Sequence, residues 1–111
     1  MVLRVLVVWC VVLAGSPAFT QTAVPVGIFP AGAAVHPDSS RVYVTNNSSA
    51  TVSVIATATN AVVATVPVGL GPTGVAVSPD GAHLYVANAG SATVSVIATA
   101  VAFGQFSGML P

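Results

Sequence analysis

A repeat of 42 residues constrains this chain more than any other feature of its sequence. The Val-Pro-Val-Gly segment 24–27 and the segment 49–58 both return unchanged at that offset, and Tyr-Val-Thr-Asn at 43–46 returns with one substitution. No gap is needed, and roughly two-thirds of the aligned positions are identical. Because self-similarity at such a period is typical of repeat architectures, the chain is expected to fold as two copies of one supersecondary unit.

Each repeat is predicted to consist of short β-strands separated by turns. The Pro-Asp pairs at 37–38 and 79–80 indicate hairpin turns, because proline fixes φ and the carboxylate can bond to the backbone two residues on. Residues 22–26 are expected to be the tail of a strand equivalent to 61–66. The strands expected within the two repeats are 32–36, 41–46, 51–55 and 61–66, then 74–78, 83–88 and 93–97.

Neither face of the predicted strands 51–55 and 61–66 carries a charge. Val52 and Val54 share one face, while Thr51, Ser53 and Ile55 share the other. Both faces are therefore expected to be buried against other protein, as when small sheets stack around a ring. A four-stranded unit of this period fits one blade of a β-propeller. The predicted fold class is all-β, with about two four-stranded antiparallel blades in a partial propeller or an oligomer-completed ring.

Four features of the sequence resemble the YVTN β-propeller repeat. They are the Tyr-Val-Thr-Asn block at 43–46, its variant at 85–88, the Ser-Pro-Asp-Gly turn at 78–81 and the Val-Pro-Val-Gly joints. That family occurs in bacterial and archaeal surface-layer and secreted proteins, and the resemblance covers about residues 22–100. It implies that the strands ending at His36 and Ser78 are innermost and that 61–66 lies at the outer rim. Lactonase-like and NHL-type propellers share similar blade patterns.

Two blades are fewer than a propeller requires, since such rings usually hold about 4–8. The blades are expected at about 22–65 and 66–100, followed by a tail at 101–111 that departs from the repeat. Residues 22–26 could instead serve as a closing strand, which would group them with 32–55 and group 61–66 with 74–97. The chain is then a piece of a longer propeller, a subunit of a ring of three or four copies, or a two-blade remnant.

The segment 1–18 is predicted to be a secretory signal peptide that is cleaved after Ala18. Arg4 precedes an apolar run, and small residues follow it, which is the layout of such signals. The run is roughly half the 20 residues that a membrane anchor needs. A retained anchor and lipidation at Cys10 are the weaker alternatives. The mature protein is therefore expected to be secreted, periplasmic or at the cell surface, with no stable membrane span.

The inventory of charged groups excludes several classes of function. Arg4 and Arg41 are the basic residues and Asp38 and Asp80 the acidic ones, so a nucleic-acid partner is not expected, since phosphate binding needs clustered cations. Cys10 is the one cysteine, which excludes an internal disulfide framework. No catalytic, cofactor-binding or metal-binding residue is predicted, and no cofactor is expected.

Four titratable side chains have the chemistry that such roles would require, namely Asp38, Asp80, His36 and His83. Asp38 and Asp80 are equivalent in the repeat, and we interpret both as turn-forming residues that belong to separate sites. His36 and His83 occupy different repeat positions, whereas a metal site built by repeat symmetry would place histidines at matching ones. Of the two, His36 is the better candidate ligand, because the family resemblance implies a place near the channel.

Tyr43 and Tyr85 are predicted to pack between blades, with their hydroxyls on backbone partners. Asn46 and Asn88 are predicted to end their strands through bonds from side chain to backbone. The sequence thus favours a non-catalytic, exported propeller protein that acts as a structural or interaction module for an unknown protein or glycan. A small lectin-like propeller completed by homo-oligomerisation is the first alternative, and a fragment of a lactonase-like propeller enzyme is the second.

Overall fold

A computed structural model of the chain describes residues 19–99. The predictions about the signal segment 1–18 and about residues 100–111 lie outside this range. The described part is all-β, and no helix long and apolar enough to cross a membrane occurs in it. The strands are β1 (Pro30–Val35), β2 (Arg41–Asn46), β3 (Thr51–Ala56), β4 (Ala61–Pro67), β5 (Pro72–Val77), β6 (His83–Asn88) and β7 (Thr93–Ala98).

The strands form two antiparallel sheets, each a meander in chain order. The first sheet has the order β1-β2-β3-β4, and the second has the order β5-β6-β7. Short strands rich in Val and Thr favour this pleated arrangement, and the hairpin turns join each strand to its neighbour. The two sheets of four and three strands are those of partial propeller blades, so the predicted fold class is confirmed.

The position of β4 contradicts the alternative grouping of the strands, in which residues 61–66 belong with 74–97. β4 pairs with β3 along its whole length, from Thr51 opposite Pro67 to Ala56 opposite Ala61. It therefore completes the first sheet as the fourth strand, and the grouping of 61–66 with 74–97 is wrong. Residues 22–26 form no strand, so their grouping with 32–55 is wrong as well. A strand needs a partner for its backbone groups, and none of the described strands pairs with these residues.

The hydrophobic core lies between the two sheets. Tyr43, Val52 and Val54 on the first sheet contact Leu84 and Val86 on the second. The register explains the choice of faces, because Tyr43 lies opposite Val54 and both point to the same side of the first sheet. The second sheet packs through the opposite face of its repeat. Leu84 is equivalent to Val42, which lies on the side of the first sheet that faces away from the core.

Two side chains of β2 and its following turn bridge the sheets. The Thr45 hydroxyl donates to the Thr73 carbonyl at 2.9 Å, and the Asn47 amide donates to the Pro72 carbonyl at 3.2 Å. Gly32 lies beside this junction, and a Cβ atom there would overlap the Thr73 carbonyl oxygen. Because Gly32 has no side chain, the backbone of the second sheet can lie close to the first sheet at this point.

Candidate functional site

A cleft of about 330 Å³ opens between the two Pro-Asp turns, at one end of both sheets. It is lined by Asp38, Arg41 and Asp80, which are all the charged side chains among residues 19–99, together with His36. The interpretation that Asp38 and Asp80 belong to separate sites is therefore wrong in one respect, because both border this single cleft. Their proximity comes from the packing of two repeats, which the spacing of residues within one repeat does not reveal.

His36 follows β1 and reaches across the cleft to the second sheet. Its Nε2 atom lies 3.1 Å from the Gly81 carbonyl oxygen, which can only accept, so Nε2 carries a proton. Its Nδ1 atom lies 2.9 Å from Asp38 Oδ1 and 3.3 Å from the Asp38 amide nitrogen. The Asp38 amide donates to Nδ1, and Nε2 donates to the Gly81 carbonyl. His36 therefore bridges the two turns.

Both aspartates form the turns predicted from the sequence. Asp38 Oδ1 accepts from the Ser40 amide at 2.8 Å, and Asp80 Oδ1 accepts from the Ala82 amide at 3.0 Å. Hydrogen bonds from the Ser40 hydroxyl and amide lower the pKa of Asp38, and the nearby imidazole of His36 adds to this. The Ser78 hydroxyl and the Ala82 amide lower the pKa of Asp80. Both carboxyls are held in the ionised form by their own turns.

The remaining polar contacts of the cleft hold its walls together. The Arg41 guanidinium donates to the Thr99 carbonyl at 3.4 Å, and the Thr99 hydroxyl donates to the Gly81 carbonyl. The cleft can offer carboxylate oxygens and a guanidinium to a polar ligand. No group of three or more His, Cys, Asp or Glu side chains that could hold a metal ion lies within residues 19–99.

The two equivalent tyrosines have different surroundings. Tyr43 is buried between the sheets, which confirms its predicted packing. Its hydroxyl has no hydrogen-bond partner among the described residues, so the predicted backbone bond is wrong. Tyr85 is exposed on the opposite side of the second sheet, with its ring centroid 6.3 Å from that of His83. Tyr85, and not Tyr43, is thus accessible to a ligand in this chain.

The equivalent asparagines lie buried at the ends of β2 and β6. Asn46 Oδ1 accepts from the Gly27 amide at 3.1 Å, which is the predicted bond to the backbone. The Asn46 amide group also donates to Thr51 and Ser53, and Asn88 makes the same pair of bonds on β7. These contacts to neighbouring side chains were not predicted. They fasten each hairpin where its strand ends.

Comparisons with known proteins identify similar structures but no family. Neither a scan against models of protein families nor a search of curated proteins gave a match. Hydrazine synthase from Kuenenia stuttgartiensis is similar in structure, with a TM-score of 0.64 and 32 % sequence identity over 76 % of this chain and 24 % of that one. The chain therefore spans about a quarter of that protein.

A second similar structure is described as a functionally unknown protein from Desulfotomaculum acetoxidans DSM 771. Its TM-score is 0.52 and its identity 24 %, over 64 % of this chain and 26 % of that one. At that identity the similarity supports the fold alone. Together with the two antiparallel sheets, the comparisons fit a propeller-like fold in which this chain matches only part of each neighbour.

Proposed function

We propose that this chain is an exported, non-catalytic part of a β-propeller that acts as a structural or interaction module at the cell surface or in the periplasm. The observation that carries the proposal is the packing of one face of the first sheet on the opposite face of the next repeat. Because successive repeats use opposite faces, the same contact can be continued at both ends of the pair, as it is in a ring of blades.

Each sheet has one apolar face that points away from the core, and among residues 19–99 no other sheet packs on either of these faces. The first outer face consists of Ala33, Val35, Val42, Val44 and Ile55 on β1 to β3. The second outer face consists of Ala76, Tyr85, Ala87, Val94 and Val96 on β5 to β7. Val35, Tyr85, Val94 and Val96 are exposed. Surfaces of this kind mark interaction sites, which supports a working molecule with more than two blades.

The chemistry of the cleft supports an interaction role over a catalytic one. Asp38 and Asp80 each accept hydrogen bonds within their own turns, and His36 and Arg41 hold neighbouring backbone carbonyls. An acid–base pair would require two such groups to converge on one reacting atom. The groups are instead placed to fix the ends of the blades, and their remaining acceptors and donors face the cleft.

Export is tested by expressing the full chain in a bacterium and sequencing the N-terminus of the protein recovered outside the cytoplasm. The expected N-terminal residue is Phe19, because cleavage is predicted after Ala18. The matched control is Val8→Arg, which interrupts the apolar run and should keep the chain inside the cell. Recovery of the unsubstituted chain in the cytoplasm with Met1 or Val2 at its N-terminus would contradict this part of the proposal.

The similarity to hydrazine synthase favours a second candidate, in which these blades are a propeller region of a larger enzyme. Catalytic residues would then lie in blades other than the two described. Reading the coding DNA on both sides of these 111 residues tests this candidate. Further 42-residue repeats with converging Glu, Asp or His residues would favour the enzyme, and their absence would favour the non-catalytic module.

A further inference from the structure

The second sheet lacks two partners that the first sheet has. β3 pairs with β2 on one side and β4 on the other, whereas its equivalent β7 pairs only with β6 among residues 19–99. On the second outer face, Val94 and Val96 are exposed, although their equivalents Val52 and Val54 are buried. Within the part of the chain that the structure describes, the second sheet thus presents both an open strand edge and an open apolar face.

The segment 22–27 carries the sequence that fills the first of these places, the edge beside β3, in the first sheet. Its Val-Pro-Val-Gly is identical to residues 66–69, which end β4 and lead into the second sheet. There Val66 lies opposite Val52, and the Val68 amide donates to the Ala50 carbonyl at 3.0 Å. Residues 22–27 make no such strand in the described chain, so this pairing capacity is unused.

The segment cannot pair with β7 of its own chain. Pro25, Val26 and Gly27 border a cleft with Ser53 and Thr65. Ser53 lies between Val52 and Val54 on β3 and so points away from the core. The segment is therefore on the side of the first sheet remote from the second sheet. Only another molecule can bring it to the open edge of β7.

Gly74 supplies an independent observation that points to an approaching backbone. Its equivalent Gly32 is required because the Thr73 backbone of the second sheet lies against it. A Cβ atom at Gly74 would meet nothing closer than the Ala87 Cβ at 3.9 Å. Glycine weakens a strand interior and is used where another backbone comes close. No backbone of residues 19–99 approaches Gly74 in this way.

We propose that a second copy of this chain completes the second sheet in trans. In this arrangement, which rests on the proposed propeller function, residues 19–25 of the second copy pair with β7 as a fourth strand. The first outer face of the second copy then packs on the second outer face of the first copy. The register follows from that of β3 and β4. It places Val24, Ala23 and Thr22 of the second copy opposite Val94, Ser95 and Val96 of the first copy, in that order.

The first outer face of one copy is suited to pack on the second outer face of another copy. Val35 on the first outer face is equivalent to Val77, which packs against the core of the chain, and Tyr85 on the second is equivalent to buried Tyr43. Neither outer face carries Asp, Lys, Glu or Arg, so no charge opposes their contact. Because the contact joins two different surfaces, it is heterologous, and its repetition gives a closed ring when the rotation per copy closes.

The test is a disulfide between copies, in full chains that carry Cys10→Ser so that the engineered cysteines are the only ones. Protein with Thr22→Cys is mixed with protein with Val96→Cys and oxidised. The expected product is a dimer with one chain of each kind, which doubles the mass on a non-reducing gel and is identified by mass spectrometry. Either protein alone should give no dimer, because like residues are far apart in a heterologous contact.

Two matched controls complete the experiment. Val54→Cys with Ala64→Cys in a single chain occupies the equivalent pair of β3 and β4 and should form an internal disulfide. Gln21→Cys replaces Thr22→Cys in the mixture and should lose the dimer, because Gln21 corresponds to Val63 at the bulge of β4. Together they separate correct register from random collision.

An internal disulfide without a mixed dimer would overturn the trans completion and leave the propeller function standing. The same holds if Val96→Cys dimerises with itself as readily as in the mixture, since that result indicates back-to-back pairing. Failure of the internal disulfide would show that the register of the first sheet is wrong. That result would overturn both the trans completion and the propeller function from which it is built.

Discussion

The two repeats place identical sequences in different environments. Residues 49–57 and 91–99 are the same nine residues on β3 and β7, yet Val52 is 0 % exposed and Val94 is 60 % exposed. Tyr43 is 2 % exposed and Tyr85 is 42 % exposed. Both strands pair with the preceding hairpin strand in the same register. The local sequence therefore determines which residues form a strand and how it pairs, whereas the adjacent sheet determines which side chains are buried.

The largest expected effect comes from an aspartate placed at either of two equivalent valines, Val52 in the first repeat or Val94 in the second. Val52→Asp buries an unpaired carboxylate in the core and should cost about 3 kcal/mol or more, which unfolds so small a domain. Val94→Asp should leave a folded chain, because its side chain reaches water. Circular dichroism with urea unfolding distinguishes the two. Equal destabilisation would show that the two repeats are not packed differently.

A second pair of substitutions examines close backbone approach at Gly32 and Gly74. Gly32→Ala forces its Cβ against the Thr73 backbone and should destabilise the chain by about 1–3 kcal/mol. Gly74→Ala has open space and should stabilise the isolated chain by about 0.5–1 kcal/mol, through reduced freedom of the unfolded state. Urea unfolding at low protein concentration measures both. A loss of stability in Gly74→Ala as large as that in Gly32→Ala would contradict the difference in packing between the repeats.

The Pro-Asp turns give a smaller contrast. Ser39 and Gly81 occupy the same turn position, with φ of 67° and 75°. Ser39→Gly should stabilise by about 0.5–1 kcal/mol, because glycine adopts this conformation without steric cost. Gly81→Ser should destabilise by about 1–2 kcal/mol, since its Cβ would also lie 2.6 Å from His36 Cε1. Thermal unfolding measures the stability of both variants, and the two changes in stability should have opposite signs.

The smallest effect is the pH dependence contributed by the turn aspartates. Hydrogen bonds in the folded chain lower the pKa of Asp80 below its ordinary value of 3.8, so they stabilise the fold above that pH. This contribution is lost as the pH falls through the lowered pKa. Ser78→Ala should raise the Asp80 pKa towards 3.8 and leave Asp38 unchanged. NMR titration of the two carboxyls checks this, and a shift at both would show that the turns are coupled.

Much of the fold could be predicted because its determinants are local and occur twice. The turns at Asp38 and Asp80 follow from short-range hydrogen bonds, and the strands from alternating Val and Thr between them. The predicted strand 61–66 differs from β4 by a single residue at its end. It is an edge strand of the first sheet, and its place at the outer rim of a ring, which the family resemblance implied, stays a prediction.

The rest depended on contacts between repeats, which no local pattern encodes. The cleft that joins Asp38 to Asp80 exists only because the second sheet packs beside the first. The Tyr43 hydroxyl is predicted to have a backbone partner, but it has none among residues 19–99, where Tyr43 belongs to the apolar core with Val52 and Leu84. Equal sequence at Tyr43 and Tyr85 also gave no means of predicting that one is buried and the other exposed.

The most direct test of the account is the solution mass of the exported chain, measured by light scattering behind a sizing column. If the two outer faces bind one another, the chain should form a discrete oligomer, and Gly74→Ala should reduce it to a folded monomer by obstructing the approach of the second copy. A folded, monodisperse monomer of the unsubstituted chain would contradict the account, because its outer faces and the edge of β7 would then need no partner.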